Sequence, residues 1–101
     1  MNKARRKELY ALIKELEKID NQVDLQEYID TLEAIKSDEE MYYDNAPENL
    51  QNSLRYEMSQ EAIDSMEDAI DYLNDAQACE NIKDFIICIE CAIDYIINIL
   101  A

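Results

Sequence analysis

The stretch EAIDSMEDAIDYLNDAQACEN, residues 61–81, repeats with a period of seven residues. Its regularly spaced apolar residues fall on one face of a helix: Ala62, Met66, Ala69, Leu73 and Ala76. A period of seven is close to two turns of an α-helix, whereas the side chains of a β-strand alternate at every second residue. The sequence contains no glycine, the usual residue for turns with positive φ. The chain is therefore predicted to be all-α.

Apolar stripes of this kind divide the whole chain into four helical segments, predicted at about residues 3–20, 24–43, 53–79 and 81–100. In each half of the chain the stripe moves to nearly the opposite side of a straight helix, so helix breaks are predicted near residues 20–24 and 79–81. Asp24 followed by Glu27 resembles a capping box, and Asn81 is a candidate N-cap. These features predict one domain, an antiparallel helical hairpin or four-segment helical bundle.

The fourth segment carries more apolar surface than one small bundle can cover. Such a helix is expected to be buried on most of its circumference. We therefore predict a homo-oligomer, a dimer or larger, built on this helix. Its predicted interface comprises Ile82, Phe85, Ile86, Ile89, Ile93, Ile96 and Leu100. The alternative is a central helix that the other three surround.

The charge is strongly negative and unevenly distributed. The chain has 24 acidic and 9 basic residues, a net charge of −15. Residues 1–18 contain six basic and three acidic side chains, so the remainder carries a charge of −18. This field predicts no direct contact with nucleic acid or with anionic membranes, and it favours basic partners or simply solubility. The basic start predicts a cationic patch that neutralises an acidic helix of the same molecule or of a partner, with nucleic-acid contact as the alternative.

No targeting or membrane-spanning segment is recognised. The N-terminus lacks the apolar core of a signal peptide, and the most apolar run, residues 85–100, is interrupted by charged residues and is shorter than a membrane span. Three cysteines without a secretory context favour a reducing compartment. The predicted location is the cytoplasm, that of the host if the chain is encoded by a phage.

An acidic ridge runs along the third segment, opposite its apolar stripe. Its members are Glu57, Glu61, Asp64, Asp68, Asp71 and Asp75. Because this side of the helix should face solvent, we expect a solvated face and no metal site. Cys88 and Cys91 form a C-x-x-C, but with only Cys79 besides and no histidine they are interpreted as packed residues without a metal. The lack of glycine and histidine excludes the familiar catalytic motifs, so no enzyme activity and no cofactor are predicted.

The connector between the second and third segments, residues 44–52, is the least repetitive part of the chain. It contains the only proline, Pro47, and the second helix is predicted to end before it. The connector and its flanks also offer aromatic rings for stacking on a base, an arginine for a phosphate and amides for polar edges. The candidate binding residues are Tyr42, Tyr43, Asn49, Gln51, Arg55 and Tyr56. The alternative interpretation is a turn whose tyrosines pack against the helix ends.

Three stretches carry a resemblance to a known group of proteins. ARRKEL at 4–9, EAIKSDEEMYYDNAPENLQNSLRYE at 33–57 and AIDSMEDAID at 62–71 resemble small acidic helical proteins of Firmicutes phages and prophages. The similarity spans residues 3–73 and implies a phage context. It favours a binding protein that inhibits or sequesters a host defence factor, a basic or nucleic-acid-binding protein, through the acidic ridge as a nucleic-acid mimic. The alternatives are an oligomeric sponge for a small nucleotide signal at residues 42–56 and a structural oligomer without a ligand.

Overall fold

The computed structural model describes residues 2–45 and 54–101, and the side chains of residues 54–56 are not among those described. Four helices form within these ranges: α1 at Lys3–Glu17, α2 at Gln26–Asp44, α3 at Leu54–Ala78 and α4 at Ile82–Leu100. For the part of the chain that the structure describes, the prediction of an all-α fold with four helices is confirmed. The described helices also include none that is long and apolar enough to cross a bilayer.

The helices alternate in direction and pack side by side. At one end of the bundle, Arg5 of α1 contacts Glu39 of α2, and Arg6 donates to the carbonyl of Leu100 of α4. At the other end, Gln22 of the α1–α2 loop donates to the carbonyl of Cys79 in the α3–α4 turn. Helix α3 packs between α2 and α4, and α1 closes the arrangement by packing against both α4 and α2. The four helices therefore form an antiparallel bundle.

One hydrophobic core runs through the bundle and receives side chains from all four helices. Helix α3 contributes three alanines, Ala62, Ala69 and Ala76, and α4 contributes Ala92. Small side chains allow helix axes to approach closely, and α3 and α4 share the most extensive contact in the molecule. The adjacent helices α1 and α2 share a much smaller contact. The heptad that predicts the fold from sequence is thus also the main packing surface of the structure.

The helix breaks lie where the apolar stripes change sides, with one difference in how α2 begins. The predicted capping box would place Asp24 at the N-cap, bonded to Glu27. In the structure Leu25 occupies the N-cap position, and the Asp24 carboxylate accepts from the Gln26 backbone N–H at 2.9 Å. Gln77 of α3 donates to the same oxygen at 3.1 Å. These two hydrogen bonds hold the pKa of Asp24 below its usual value, and the bond from the Gln26 backbone has the larger effect.

Asn81 caps α4 as its sequence position predicts. Its backbone is extended, and its side-chain oxygen accepts from the Asp84 backbone N–H at 2.9 Å. Replacing Asn81 by alanine is expected to lower the free energy of unfolding by about 1 kcal/mol, because one N–H of the first turn loses its partner. Urea denaturation followed by circular dichroism measures the change. Asn81→Ser, which retains a capping oxygen, should stay close to wild type; an equal loss in both variants would contradict the capping role.

Candidate functional site

The acidic ridge lies on the outside of α3. All six of its members, residues 57, 61, 64, 68, 71 and 75, are exposed. The opposite face of the helix is anchored in the core by Met66 and Leu73, which are completely buried. Because a helix cannot turn one face inward without turning the other outward, the core residues of α3 fix the direction in which these carboxylates point.

The ridge is long and, within the described residues, none of its members forms an ion pair with a lysine or arginine. From Glu57 to Asp75 it extends about 27 Å, at 1.5 Å per helical residue. Asp64 accepts a hydrogen bond from the neutral side chain of Gln60 at 3.0 Å. Lys36 of α2 approaches α3, but it contacts Glu40 and Glu67, which lie outside the ridge. The charge of the ridge is thus not neutralised by the described basic side chains.

A second acidic surface lies between α1 and α2, the adjacent pair with the least contact. The two helices leave a groove of ≈ 460 Å³. Its rim carries the carboxylates of Glu8, Glu15 and Glu27, and its floor includes Leu12 and Tyr28. This groove was not predicted from sequence, because it depends on how far apart two helices pack. The groove is therefore a second acidic candidate for a binding surface, beside the ridge.

The residues predicted to form an oligomer interface are divided between the core and the surface. Phe85, Ile89, Ile96 and Leu100 belong to the buried core of the single chain, and Ile86 and Ile93 are partly buried against it. These four core residues are therefore not available to a second copy, because α1 and α3 already cover them. Ile82 is 43% exposed. Homo-oligomerisation stays a prediction, and a second copy would contact α4 through exposed residues such as Ile87 and Ile97, which are 47% and 48% exposed.

The candidate connector site falls only partly within the described residues. Tyr42 and Tyr43 lie in the last turn of α2, and the Arg5 guanidinium lies over the Tyr42 ring at 5.8 Å from its centroid. Asn49 and Gln51 lie outside the described residues, as do the side chains of Arg55 and Tyr56. A nucleotide base that stacks on the Tyr42 ring would thus compete with the Arg5 guanidinium of α1. The nucleotide-sponge hypothesis stays a prediction.

A buried ionic network joins three helices near this end of the bundle. Glu39 of α2 is completely buried; its carboxylate accepts from Arg5 Nε of α1 at 2.7 Å and from Ser59 Oγ of α3 at 2.7 Å. The sequence reasoning missed this network. The available signal was that Glu39 continues the heptad positions of Leu25 and Leu32, both of which are core residues. A carboxylate on an apolar stripe requires a polar partner.

The basic N-terminus is used partly inside the molecule. Arg5 pairs with Glu39, so the prediction that this segment neutralises an acidic helix of the same chain is met there. Lys3, Lys7 and Lys14 remain exposed on α1 beside the half-exposed Tyr10. The cationic side chains are thus on α1, while the acidic ridge is on α3, and these two helices are not among the extensively packed pairs.

The two thiols that contact each other are not the two of the C-x-x-C motif. Cys79, which follows α3, and Cys88 of α4 place their sulfur atoms 3.9 Å apart. Desolvation and the neighbouring Cys79 thiol raise the pKa of Cys88 to about 11, so it is a thiol at neutral pH. Within residues 2–45 and 54–101, no group of three or more His, Cys, Asp or Glu side chains is placed to hold a metal ion.

Comparison with protein-family models, with curated proteins and with solved structures gave no match. The resemblance to small acidic phage proteins therefore remains an expectation from the quoted stretches. The function has to be argued from the surfaces of this chain.

Proposed function

We propose that this chain is a non-enzymatic binding protein of the phage type, which inhibits or sequesters a host defence factor by binding it through the acidic ridge of α3. The observation that carries the proposal is the ridge itself, six exposed carboxylates along one helix without a described cationic partner. Leaving so many charges unpaired on a chain of net charge −15 costs self-repulsion. A basic partner removes that repulsion, and the ridge offers it a straight, rigid row of charges.

The partner class follows from the geometry of the row. Carboxylates along the ridge advance by about 5 Å on average, since 18 residues at 1.5 Å each are divided into five steps. Phosphates of one DNA strand advance by about 3.4 Å along the axis. The ridge is thus sparser than a nucleic-acid backbone but has the same sign and a comparable linear form. It suits a groove rich in lysine and arginine in a nucleic-acid-binding protein.

Neutralising the ridge is expected to weaken the complex roughly 5- to 5000-fold, because each of five exposed charge pairs contributes about 0.2–1 kcal/mol. The variant carries Glu61→Gln, Asp64→Asn, Asp68→Asn, Asp71→Asn and Asp75→Asn. Immobilised wild type is used to capture proteins from an extract of a Firmicutes host at low salt. The affinity of the captured protein is then measured for both forms, and the wild-type complex should weaken steeply as salt increases.

A control variant with the same change in net charge separates the ridge from general electrostatics, and it also removes Glu27, one of the three carboxylates on the rim of the α1–α2 groove. It carries Glu27→Gln, Asp30→Asn, Glu33→Gln, Asp38→Asn and Asp44→Asn, all on α2 and all exposed. The control should bind within a few-fold of wild type. Equal losses in both variants, binding that is indifferent to salt, or no captured protein at all would each reject the ridge as the functional surface. A duplex DNA competitor that displaces the chain from the captured protein would support mimicry.

A further inference from the structure

Two thiols from different helices meet at the turn between α3 and α4. Cys79 lies in the short segment after α3, and its thiol donates to the Asp75 carbonyl at 3.3 Å. Cys88 lies in the second turn of α4, and the two sulfur atoms are 3.9 Å apart. A disulfide bond requires about 2 Å, so the sulfur atoms have to approach by roughly another 2 Å. Bond formation requires that rotation of the two side chains, with a small adjustment of the turn, closes this gap.

The alternative pair within the C-x-x-C is less suited to bond formation. Cys88 and Cys91 are both part of α4, one turn apart in a continuous helix. A bond between them has to be accommodated by a backbone that its own hydrogen bonds hold in place. Cys79, in contrast, lies outside both continuous helices, between the end of α3 and the start of α4. The geometry therefore favours the pair that the sequence motif does not indicate.

We propose that Cys79 and Cys88 form a reversible intramolecular disulfide when the protein is exposed to a peroxide. In the first step one thiolate attacks the peroxide, an S–O bond forms, the O–O bond breaks, and water leaves after protonation. In the second step the other sulfur attacks the resulting sulfenic acid, the S–S bond forms, and hydroxide leaves as water with the proton of the second thiol. Two thiols lose two electrons in total, and the peroxide gains them.

The order of the two steps follows from the protonation states. With its pKa raised to about 11, Cys88 stays protonated at neutral pH and reacts slowly with a peroxide. The first attack is therefore assigned to Cys79, and Cys88 acts as the resolving thiol.

The disulfide joins α3 to α4 across their turn. It closes a loop of about ten residues and restricts the unfolded chain, which should raise Tm on the order of 10 °C. The backbone carbonyl of Cys79 already accepts from Gln22 of the α1–α2 loop, so the cross-link also tethers the second loop at that end. The predicted consequence is a bundle whose α3 is held more firmly under oxidising conditions.

The experiment treats the full chain with hydrogen peroxide and locates the disulfide by mass spectrometry of non-reduced peptides. We expect one major product, Cys79 bonded to Cys88, with the mass of two hydrogen atoms lost and Cys91 left as a thiol. Dithiothreitol should reverse both the mass change and the rise in Tm. Cys91→Ser should give the same product and the same rise, whereas Cys79→Ser and Cys88→Ser should give neither.

The same oxidation in urea serves as the control for the folded geometry. Unfolded chains should yield a mixture of all three pairings, whereas the folded chain should yield one. A folded protein that gives Cys88 bonded to Cys91, a cross-link between two chains, or separately oxidised thiols without a disulfide would overturn the proposal. A mixture equal to that in urea would overturn it as well, since the bundle would then not direct the pairing.

Discussion

Replacing Arg5 by alanine is expected to lower the free energy of unfolding by about 3–5 kcal/mol, the loss typical of removing one partner of a buried ion pair. Glu39 is completely buried, and Arg5 Nε approaches its carboxylate to 2.7 Å. Without the guanidinium the negative charge stays in the bundle with less compensation. The contact of Arg5 with the Tyr42 ring is lost at the same time. Since a domain of this size is stable by about 5–15 kcal/mol, this one substitution removes a large part of the total.

Urea denaturation at neutral pH measures the effect, and two control variants identify its cause. Lys7→Ala removes an exposed cation from the same helix and should change the stability by less than about 0.5 kcal/mol. The triple variant Arg5→Met, Glu39→Leu, Ser59→Ala removes the three described members of the network together and should return to within about 1 kcal/mol of wild type or exceed it. If the triple variant is as unstable as Arg5→Ala, the loss comes from packing and not from the buried charge.

The second large effect is expected at Phe85, the only phenylalanine of the chain. Its side chain is buried in the core shared by all four helices. Phe85→Ala should lower the free energy of unfolding by about 3–5 kcal/mol, because it removes apolar contacts and leaves a cavity that the helices only partly close. Differential scanning calorimetry and urea denaturation both report the change.

The matched control for Phe85 lies two residues further along α4. Ile87 is 47% exposed, so Ile87→Ala should cost well under half as much as Phe85→Ala. Phe85→Leu, which keeps part of the volume, should fall between them. Similar losses at Phe85 and Ile87 would indicate that α4 is covered on both sides, as in an oligomer, and concentration-dependent stability would then be expected. The pair of variants therefore also tests the predicted self-association.

These two sites matter for the proposed function because they hold α3 in place. Phe85 lies in the core that α3 shares with α4, and the network around Glu39 ties the start of α3 to α1 and α2 through Ser59. A row of carboxylates can match a basic groove only if its helix is straight and fixed in orientation. Variants that loosen the bundle without changing the ridge should therefore weaken binding, and by more than the fraction of unfolded protein alone accounts for.

Several features follow from local sequence and needed no knowledge of the neighbouring helices. The number of helices and their breaks follow from the phase of the apolar stripes, which changes within each half of the chain. The cap at Asn81 depends on residues up to Asp84 alone. The exposure of the ridge follows from the heptad of α3, because carboxylates opposite a buried stripe have to face outward.

Other features depend on which helices become neighbours, and only the tertiary structure decides them. Glu39 can be buried because Arg5 and Ser59 donate hydrogen bonds to its carboxylate. These residues lie 34 and 20 positions away in the sequence, so the local pattern does not reveal them. Cys79 meets Cys88 because the turn folds α4 back onto α3. Most of the α4 stripe belongs to the core of the single chain, although its composition also suits an interface between chains. An apolar stripe predicts that one face of a helix is buried. It does not predict which helix covers that face, because this depends on distances between helices that the spacing of apolar residues does not determine.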